Sequence, residues 1–381
     1  MHAVTELFRQ TFNEEPLLVQ SPGRINLLGE HTDYNEGFVL PAAIDKFAYV
    51  AIQKRPDDRV VLIASDLNEK FETTLRDIQP VKSGWCNYIL GVAYQFISGG
   101  YQLGGFNLIL SSNIPVGAGL SSSAAVSCAS AYAMNTLFHC GVDRLTLARF
   151  AQAAEHTFAG VQCGIMDQFA SLFGKANHVI RLDCRSMDYE YVPLLSSGYE
   201  WILVDSGVKH SLAASEYNQR RSECMKGVDR IAQKYPYVKS LRDASLQQVN
   251  ECLAEDEILN RRCRYVVEEN VRVTEACQDL LKGDMLSFGK KMIQTHRGLQ
   301  HLYEVSCAEL DFLVDTAINL HGVAGSRMMG GGFGGCTLNL VEAGLAEQFI
   351  HQISEAYSRF AKKEPAIYRV KITDGAKQLV S

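Results

Sequence analysis

Apolar residues recur along this chain at two spacings, and the two alternate from end to end. Short runs with strand character fall at 17–20, 38–40, 47–53, 60–64 and 106–110. Residues 88–97 read as a helix, 121–137 as a long helix of small residues, and 145–158 repeats Leu147, Ala151, Ala154 and Phe158 at helical intervals. Strand character returns at 179–182 and 201–204. Long charged helices are expected over 215–234 and 256–282. A strand at 336–341, a helix at 344–360 and a strand at 366–372 close the chain. This alternation predicts a mixed α/β protein, and no internal repeat or low-complexity segment interrupts it.

A chain of 381 residues is too long for one ordinary core, so two lobes with a cleft between them are expected. The turn-rich Leu195-Ser196-Ser197-Gly198 marks the boundary, giving an N-terminal lobe 1–195 and a C-terminal lobe 196–381. The net charge is −6 and no run of Lys or Arg occurs, which argues against nucleic acid or an anionic membrane as partner. The first twelve residues lack the features of a signal peptide, and no apolar run reaches membrane-spanning length. Eleven scattered cysteines, without CxxC pairs or zinc spacing, fit free thiols in a reducing cytoplasm.

Three segments carry candidate chemistry. IPVGAGLSSSAA at 114–125 lies between an expected strand and an expected helix. Gly117 and Gly119 let backbone N–H groups approach a phosphate, and the helix that follows aims its positive end at the same place. Ser121, Ser122 and Ser123 add hydroxyls for phosphate or magnesium. The loop has neither a Walker A ending nor Rossmann spacing, and a serine-capped helix after a glycine turn is the plainer alternative. The segment 325–336 packs five glycines into six positions, at 330, 331, 332, 334 and 335, and runs straight into an apolar strand. That favours a packed functional loop over a linker. The segment 22–35 sets Glu30, His31 and Asp33 within four residues. This density suits a polyhydroxylated ligand, with a metal or a solvated turn as alternatives.

Together and in this order, the segments resemble the GHMP kinases. GRINLLGEHTDYN at 23–35 resembles the galactokinase signature within that superfamily, and CGIMDQ at 163–168, SEYN at 215–218 and YEVS at 303–306 agree with it. Gln300, His301 and Leu302 stand where galactokinases usually carry an Arg and paired Asp. The resemblance implies the two-lobed α/β (α+β) GHMP kinase fold, with the active site in the inter-lobe cleft. It implies transfer of the γ-phosphate of ATP to the C1 hydroxyl of D-galactose, with Mg²⁺, by a monomer or weak dimer.

The resemblance also implies roles. Asp167 would be the catalytic base, on a helical face whose neighbours one turn on are Ala170 and Ser171, and Arg24 would hold charge near the reacting oxygen. Glu30, His31, Thr32, Asp33, Gly164 and Tyr217 would bind the sugar. Gly117, Ala118, Gly119, Leu120, Ser121, Ser122 and Ser123 would cradle the phosphates, and Ser123 with Glu155 would hold Mg²⁺. Trp85 and Tyr88, three apart at a helix start, are candidates for the adenine pocket, with Ser65 a further contact, although tryptophan is more often core. A kinase for N-acetylgalactosamine and a non-catalytic galactose sensor are the rival readings. The intact Ser122-Ser123-Ala124, with Asp167 and Glu155, favours the enzyme.

Overall fold

Strand alternation in the first third of the chain builds a sheet that is covered on both faces. The structure, a computed structural model, describes residues 3–115, 117–194, 198–208 and 213–379. After helix α1 (Ala3–Phe12) come β1 (Leu17–Asn26), β2 (Phe38–Val39), β3 (Pro41–Lys54), β4 (Arg59–Ala64), β5 (Glu69–Thr74), α2 (Gly84–Ser98) and β6 (Phe106–Ser112). The final strand β13 (Lys377–Leu379) returns to this sheet, whose order is β13-β1-β3-β6-β4-β5. Leu18, Ala51 and Ile109 face α1 through Val4 and Phe8. Their neighbours Val19, Val50, Ile52 and Leu108 face the opposite way, into the main core. Burial of both faces explains why these strands read as nearly continuous apolar runs.

Against the inner face lie α2, α3 (Ser122–Phe138), α4 (Arg144–Ala154) and α5 (Met166–Phe173). Helix α3 is buried almost all round, from Ala124 to Met134, so its small residues let the sheet and three helices approach it closely. The helix expected over 145–158 ends earlier. Glu155–Ala159 is a single π turn, which reorients the chain at Glu155.

Strands β7 (His178–Asp183) and β8 (Tyr189–Pro193) form a small sheet with β2. The second large sheet has the order β10-β11-β9-β12, from β9 (Tyr199–Asp205), β10 (Val323–Met328), β11 (Cys336–Glu342) and β12 (Ala366–Val370). Trp201 and Leu203 point to the main core, and Ile202 and Val204 to a separate core under α10 (Ala308–Ala317) and α11 (Ala346–Ala361). Helices α6 (Ala213–Lys234), α7 (Leu246–Cys252) and α8 (Glu257–Lys282) enclose another core with Tyr265 and Tyr303. Helix α9 (Met285–Gly298) runs into a second π turn, Leu299–Tyr303, which contains the departing Gln300-His301-Leu302.

Two further sequence expectations need correction. The strand expected at 17–20 continues to Asn26, through a register shift between Pro22 and Arg24, so the sugar-motif arginine sits on this strand. The glycine-rich segment expected from 325 begins as strand β10. A Cβ on Gly325 would lie 2.5 Å from the Gly289 Cα, so this glycine serves helix-to-strand packing. Of the expected boundary 195–198, residues 195–197 lie outside the described residues, and the main core holds residues from both sides of it, Val19 and Ile25 with Trp201 and Phe288. Among the described residues no helix is long and apolar enough to cross a membrane, and all eleven cysteines are free.

Candidate active site

The end of β1, the loop before α3 and the first turn of α5 meet at one carboxylate. Arg24 donates from Nε to Asp167 Oδ1 at 2.8 Å and from Nη2 to Oδ2 at 3.0 Å. The Ser121 hydroxyl donates to the same Oδ2. Arg24 Nη1 reaches the Gly119 carbonyl at 2.6 Å, so one guanidinium ties the sugar motif to the phosphate-loop segment and to Asp167. Burial works against the Arg24 charge, but Asp167 and then Glu30 outweigh it and raise the guanidinium pKa. The backbones abut as well: Arg24 N donates to Leu120 O, and a Cβ on Gly23 would lie 2.7 Å from that oxygen.

Glu30 is 2% exposed and fully engaged. Its Oε1 pairs with Arg327 Nη2 at 2.7 Å and accepts from Gly330 N at 2.7 Å, and its Oε2 accepts from Asn26 Nδ2 at 2.9 Å. Burial favours the neutral acid, yet Arg327 and Arg24 hold the carboxyl below the ordinary range. The third segment therefore folds over the first. It also covers the second: a Cβ on Gly330 would touch the Gly119 Cα at 3.5 Å, and one on Gly335 the Ala118 carbonyl carbon at 3.6 Å.

The remaining sugar candidates gather around Asp33. A Cβ on Gly164 would lie 1.8 Å from Asp33 Oδ2, so the glycine is what admits this carboxylate. Burial, then the charge of Asp167, pushes Asp33 up to about 7. His31 is 3% exposed, adopts φ +60°, and packs at a tilt against Tyr217 and Tyr303 with ring centroids 5.2 and 4.9 Å away. Burial brings its pKa down to about 4. Its Nε2 is buried without a hydrogen-bond partner, as is the Asn218 Oδ1. Such atoms are left for a polar ligand. The Thr32 hydroxyl bonds Gly29 O at 2.8 Å and Phe38 O at 2.6 Å, so its side chain closes its own loop.

Gly117 and Gly119 both have positive φ, at 82° and 74°, and Ser121 caps α3 in the left-handed region. Val116 lies outside the described residues. Glu155, 5% exposed, accepts from Gln168 Nε2 at 2.7 Å and from the Ser123 hydroxyl. Burial first and Asp167 second push it up to about 7. A hydroxyl and a buried carboxylate side by side are hard oxygen donors, and a second carboxylate nearby leaves the pair short of positive charge. They fit a Mg²⁺ whose other ligands are phosphate oxygens and water. Among the described residues no cluster of three or more acidic, His or Cys side chains gathers around a metal position.

Trp85 is half-buried and donates from Nε1 to Glu69 at 2.7 Å, and the Ser65 hydroxyl donates to Leu110 O at 3.0 Å. Tyr88 lies nearer the centre, where burial and then the charge of Glu155 raise its pKa. Sequence reading missed the side chains of Arg327, Tyr34, Tyr303 and Gln168. For Arg327 a signal existed: an arginine between Ser326 and Met328 on a strand, 0% exposed, needs a carboxylate partner.

Three family models match the chain in order: the galactokinase galactose-binding signature at residues 6–54, the GHMP kinases N terminal domain at 87–175 and the GHMP kinases C terminal at 276–359. The chain is 43% identical over 372 residues to galactokinase of Roseiflexus sp. (strain RS-1), covering 97% of this chain and 95% of the relative. It is 41% identical to a Thermotoga neapolitana galactokinase over 361 residues, 95% of this chain and 99% of the relative. The crystal structure of Lactococcus lactis galactokinase complexed with galactose superposes with a TM-score of 0.95 at 34% identity, over 99% of both chains. A mevalonate kinase superposes at 0.64 with 19% identity, over 94% of this chain and 99% of that one, a likeness of fold alone. With three family models matching in order and a galactokinase 43% identical over 97% of it, the chain belongs to the galactokinase family of the GHMP kinases.

Proposed function

We propose that this chain transfers the γ-phosphoryl group of ATP to the C1 hydroxyl of D-galactose, giving galactose 1-phosphate and ADP. The observation that carries the reading is the fork of Arg24 on Asp167 where the sugar motif meets the glycine–serine loop. Residues 1–195 and 196–381 serve as the two lobes, with Glu30, His31, Asp33, Gly164 and Tyr217 toward the sugar.

Asp167 accepts the proton of the attacking hydroxyl. Its two oxygens are oriented by Arg24 and Ser121, so the base is placed before substrate arrives. When the C1 oxygen approaches, Ser121 is the donor able to turn away, while the two Arg24 bonds remain. Arg24 keeps a cation beside the oxygen on which negative charge develops. Backbone N–H groups from Gly117 to Ser123 and the N-terminal end of α3 receive the phosphates. Ser123 and Glu155 would hold Mg²⁺, which would supply charge neutralisation at the phosphates. Tyr88, Trp85 and Ser65 lie toward the adenine. The eleven free thiols support a cytoplasmic setting.

A coupled ADP-release assay with MgATP, across galactose, glucose, N-acetylgalactosamine, mevalonate and homoserine, tests the reading. Galactose is expected to give the highest turnover. Highest turnover on N-acetylgalactosamine would replace the substrate, and no turnover with intact sugar binding would favour a sensor.

A further inference from the structure

The loop that carries Glu30, His31 and Asp33 rests on a helix from the other half of the chain. Helix α8 meets the loop's main chain at three points. Glu269 Oε1 accepts from Gly29 N at 2.7 Å, the Tyr265 hydroxyl donates to Glu30 O at 3.0 Å, and Asn270 Oδ1 accepts from Phe38 N at 2.9 Å. The loop partner is a backbone group each time, so the direction of every bond is fixed: an N–H can only donate and a carbonyl oxygen can only accept. Tyr265, Glu269 and Val273 follow at intervals of four along one stripe of α8, and Asn270 flanks it. Glycines near the two ends of the loop permit the approach. A Cβ on Gly29, whose φ is +89°, would lie 2.5 Å from Phe38 O and 3.2 Å from Val273 Cγ2, and one on Gly37 would lie 2.4 Å from Asn270 Oδ1.

Glu269 is the unusual member of the three. It is 0% exposed, and a buried carboxylate is costly unless it is paired and hydrogen-bonded. Arg272 pairs with its Oε2, and the Thr295 hydroxyl on α9 reaches its two oxygens at 3.0 and 2.9 Å. Its remaining contact is Gly29 N, a donor that belongs to no helix or strand. A charged acceptor holds such an N–H more firmly than a neutral one, and it fixes the residue immediately before Glu30. Glu30 itself has its carbonyl engaged by Tyr265, while its carboxylate takes Arg327 and Gly330 N.

We infer that Tyr265, Glu269 and Asn270 are positioning residues for sugar recognition, through which α8 holds the loop 29–38 in its binding shape before the sugar arrives. The inference rests on the galactose-binding reading of this site. A loop that must be ordered at the moment of binding loses affinity to that ordering, and a loop already ordered does not. All three contacts go to this loop, so their loss is expected to weaken galactose and to leave ATP unaffected.

Amide hydrogen exchange of the full chain without ligand, read by mass spectrometry on peptides covering 29–38, tests the ordering directly. The loop is expected to be protected in the sugar-free wild type. Tyr265→Phe removes one hydrogen bond and little volume. It should speed exchange of the loop and raise the KM for galactose about fivefold, with kcat and the KM for ATP within about twofold. Glu269 is tested in two double variants, because removing it alone would strand Arg272. Glu269→Gln/Arg272→Met keeps an acceptor for Gly29 N, and Glu269→Met/Arg272→Met has none, while both lack the buried charges. The first should hold the galactose KM within about twofold of wild type. The second should raise it about tenfold and unprotect the loop, with saturating galactose restoring the protection. A loop that exchanges freely in the sugar-free wild type overturns the inference. Equal galactose KM values in the two folded double variants also overturn it, and leave α8 as a support for stability alone. Should neither double variant fold, Tyr265→Phe decides, and wild-type protection and galactose KM in it overturn the inference. Failure of the galactokinase reading shows separately, as absent galactose phosphorylation by the wild type, and the sugar-free exchange measurement still decides whether α8 orders the loop.

Discussion

Asp167 receives two hydrogen bonds from one guanidinium and a third from Ser121, which makes its geometry as consequential as its charge. Asp167→Asn keeps the shape and removes the proton acceptor, and kcat is expected to fall by ~10²–10⁴-fold with galactose affinity largely kept. Arg24→Lys keeps a cation and loses the planar fork, together with the bond to Gly119 O that fixes it. Both substitutions disturb one proton transfer, so the double variant should lose less than the product of the single losses. Single-turnover rates on the folded proteins decide it, and wild-type kcat in Asp167→Asn at saturating substrate would remove Asp167 as base. A second residue shows itself through pH. Asp33 has a folded pKa of about 7 against an ordinary 3.8. The fold therefore prefers the protonated acid: this contribution is complete below pH 4 and is lost as pH rises toward 7. Asp33→Asn removes that dependence. Its melting temperature relative to wild type should climb from pH 5 to about pH 7 and level off above that. A constant offset across that range would show that Asp33 is not the group described. His31 titrates with the opposite sign, but it is common to both proteins and cancels in the comparison.

At the scale of elements, the parts legible in the sequence were those whose burial is simple. β9 and β11 lie between two cores and read as apolar runs, and α8 shows its buried stripe through Leu259, Cys263, Val266 and Val273. β5, Glu-Lys-Phe-Glu-Thr-Thr, sits at a sheet edge and is mostly polar, so nothing apolar announced it. Helix α9 hides behind Gly289, which looks like a breaker yet is required where the helix presses on β10: a Cβ there would lie 2.1 Å from Ala324 O. For α7 a local signal was present in the Ser245–Gln248 capping box, and it passed unread. The π turn at Glu155 left no periodic trace, because the apolar spacing runs on through Phe158. In the site, the order of the three segments was legible, and their mutual closure was not, because Arg327 and Glu30 meet only in space. Gly164 illustrates the same limit, since its need comes from Asp33, far away in sequence. Gly164→Ala should raise the KM for galactose by at least ~10-fold and leave the KM for ATP and the melting temperature nearly unchanged. A variant that melts early while binding galactose normally would place the strain elsewhere.

For the whole molecule, the pair Glu30–Arg327 matters more than any single surface bridge. Arg327, at the end of β10 in the second large sheet, is 0% exposed. It reaches the loop after β1 with Nη2 on Glu30 at 2.7 Å and Nη1 on Leu27 O at 2.9 Å. Gly330 N bonds the same carboxylate, so the pair fastens the C-terminal sheet and the glycine segment to the sugar motif at once. Surface pairs such as Arg369–Glu347 are exposed and contribute little. A buried pair behaves differently, because removing one partner strands the other charge in a medium that cannot solvate it. Arg327→Met should therefore destabilise the fold by about 3–5 kcal/mol, and Glu30→Leu by a similar amount. The double variant Glu30→Leu/Arg327→Met removes both charges of the pair and leaves neutral groups without these partners, among them Leu27 O, Met328 O, Gly330 N and Asn26 Nδ2. It should recover part of the loss, with a coupling of about 1–3 kcal/mol. Denaturant unfolding of the four proteins measures that coupling directly. Additive single losses would mean that the two charges are separately solvated, and that the fastening lies in the Leu27 and Gly330 backbone contacts alone. Galactose affinity in the double variant should remain low even where stability returns, because the glycine segment would no longer be anchored over His31 and Asp33 by a shared carboxylate.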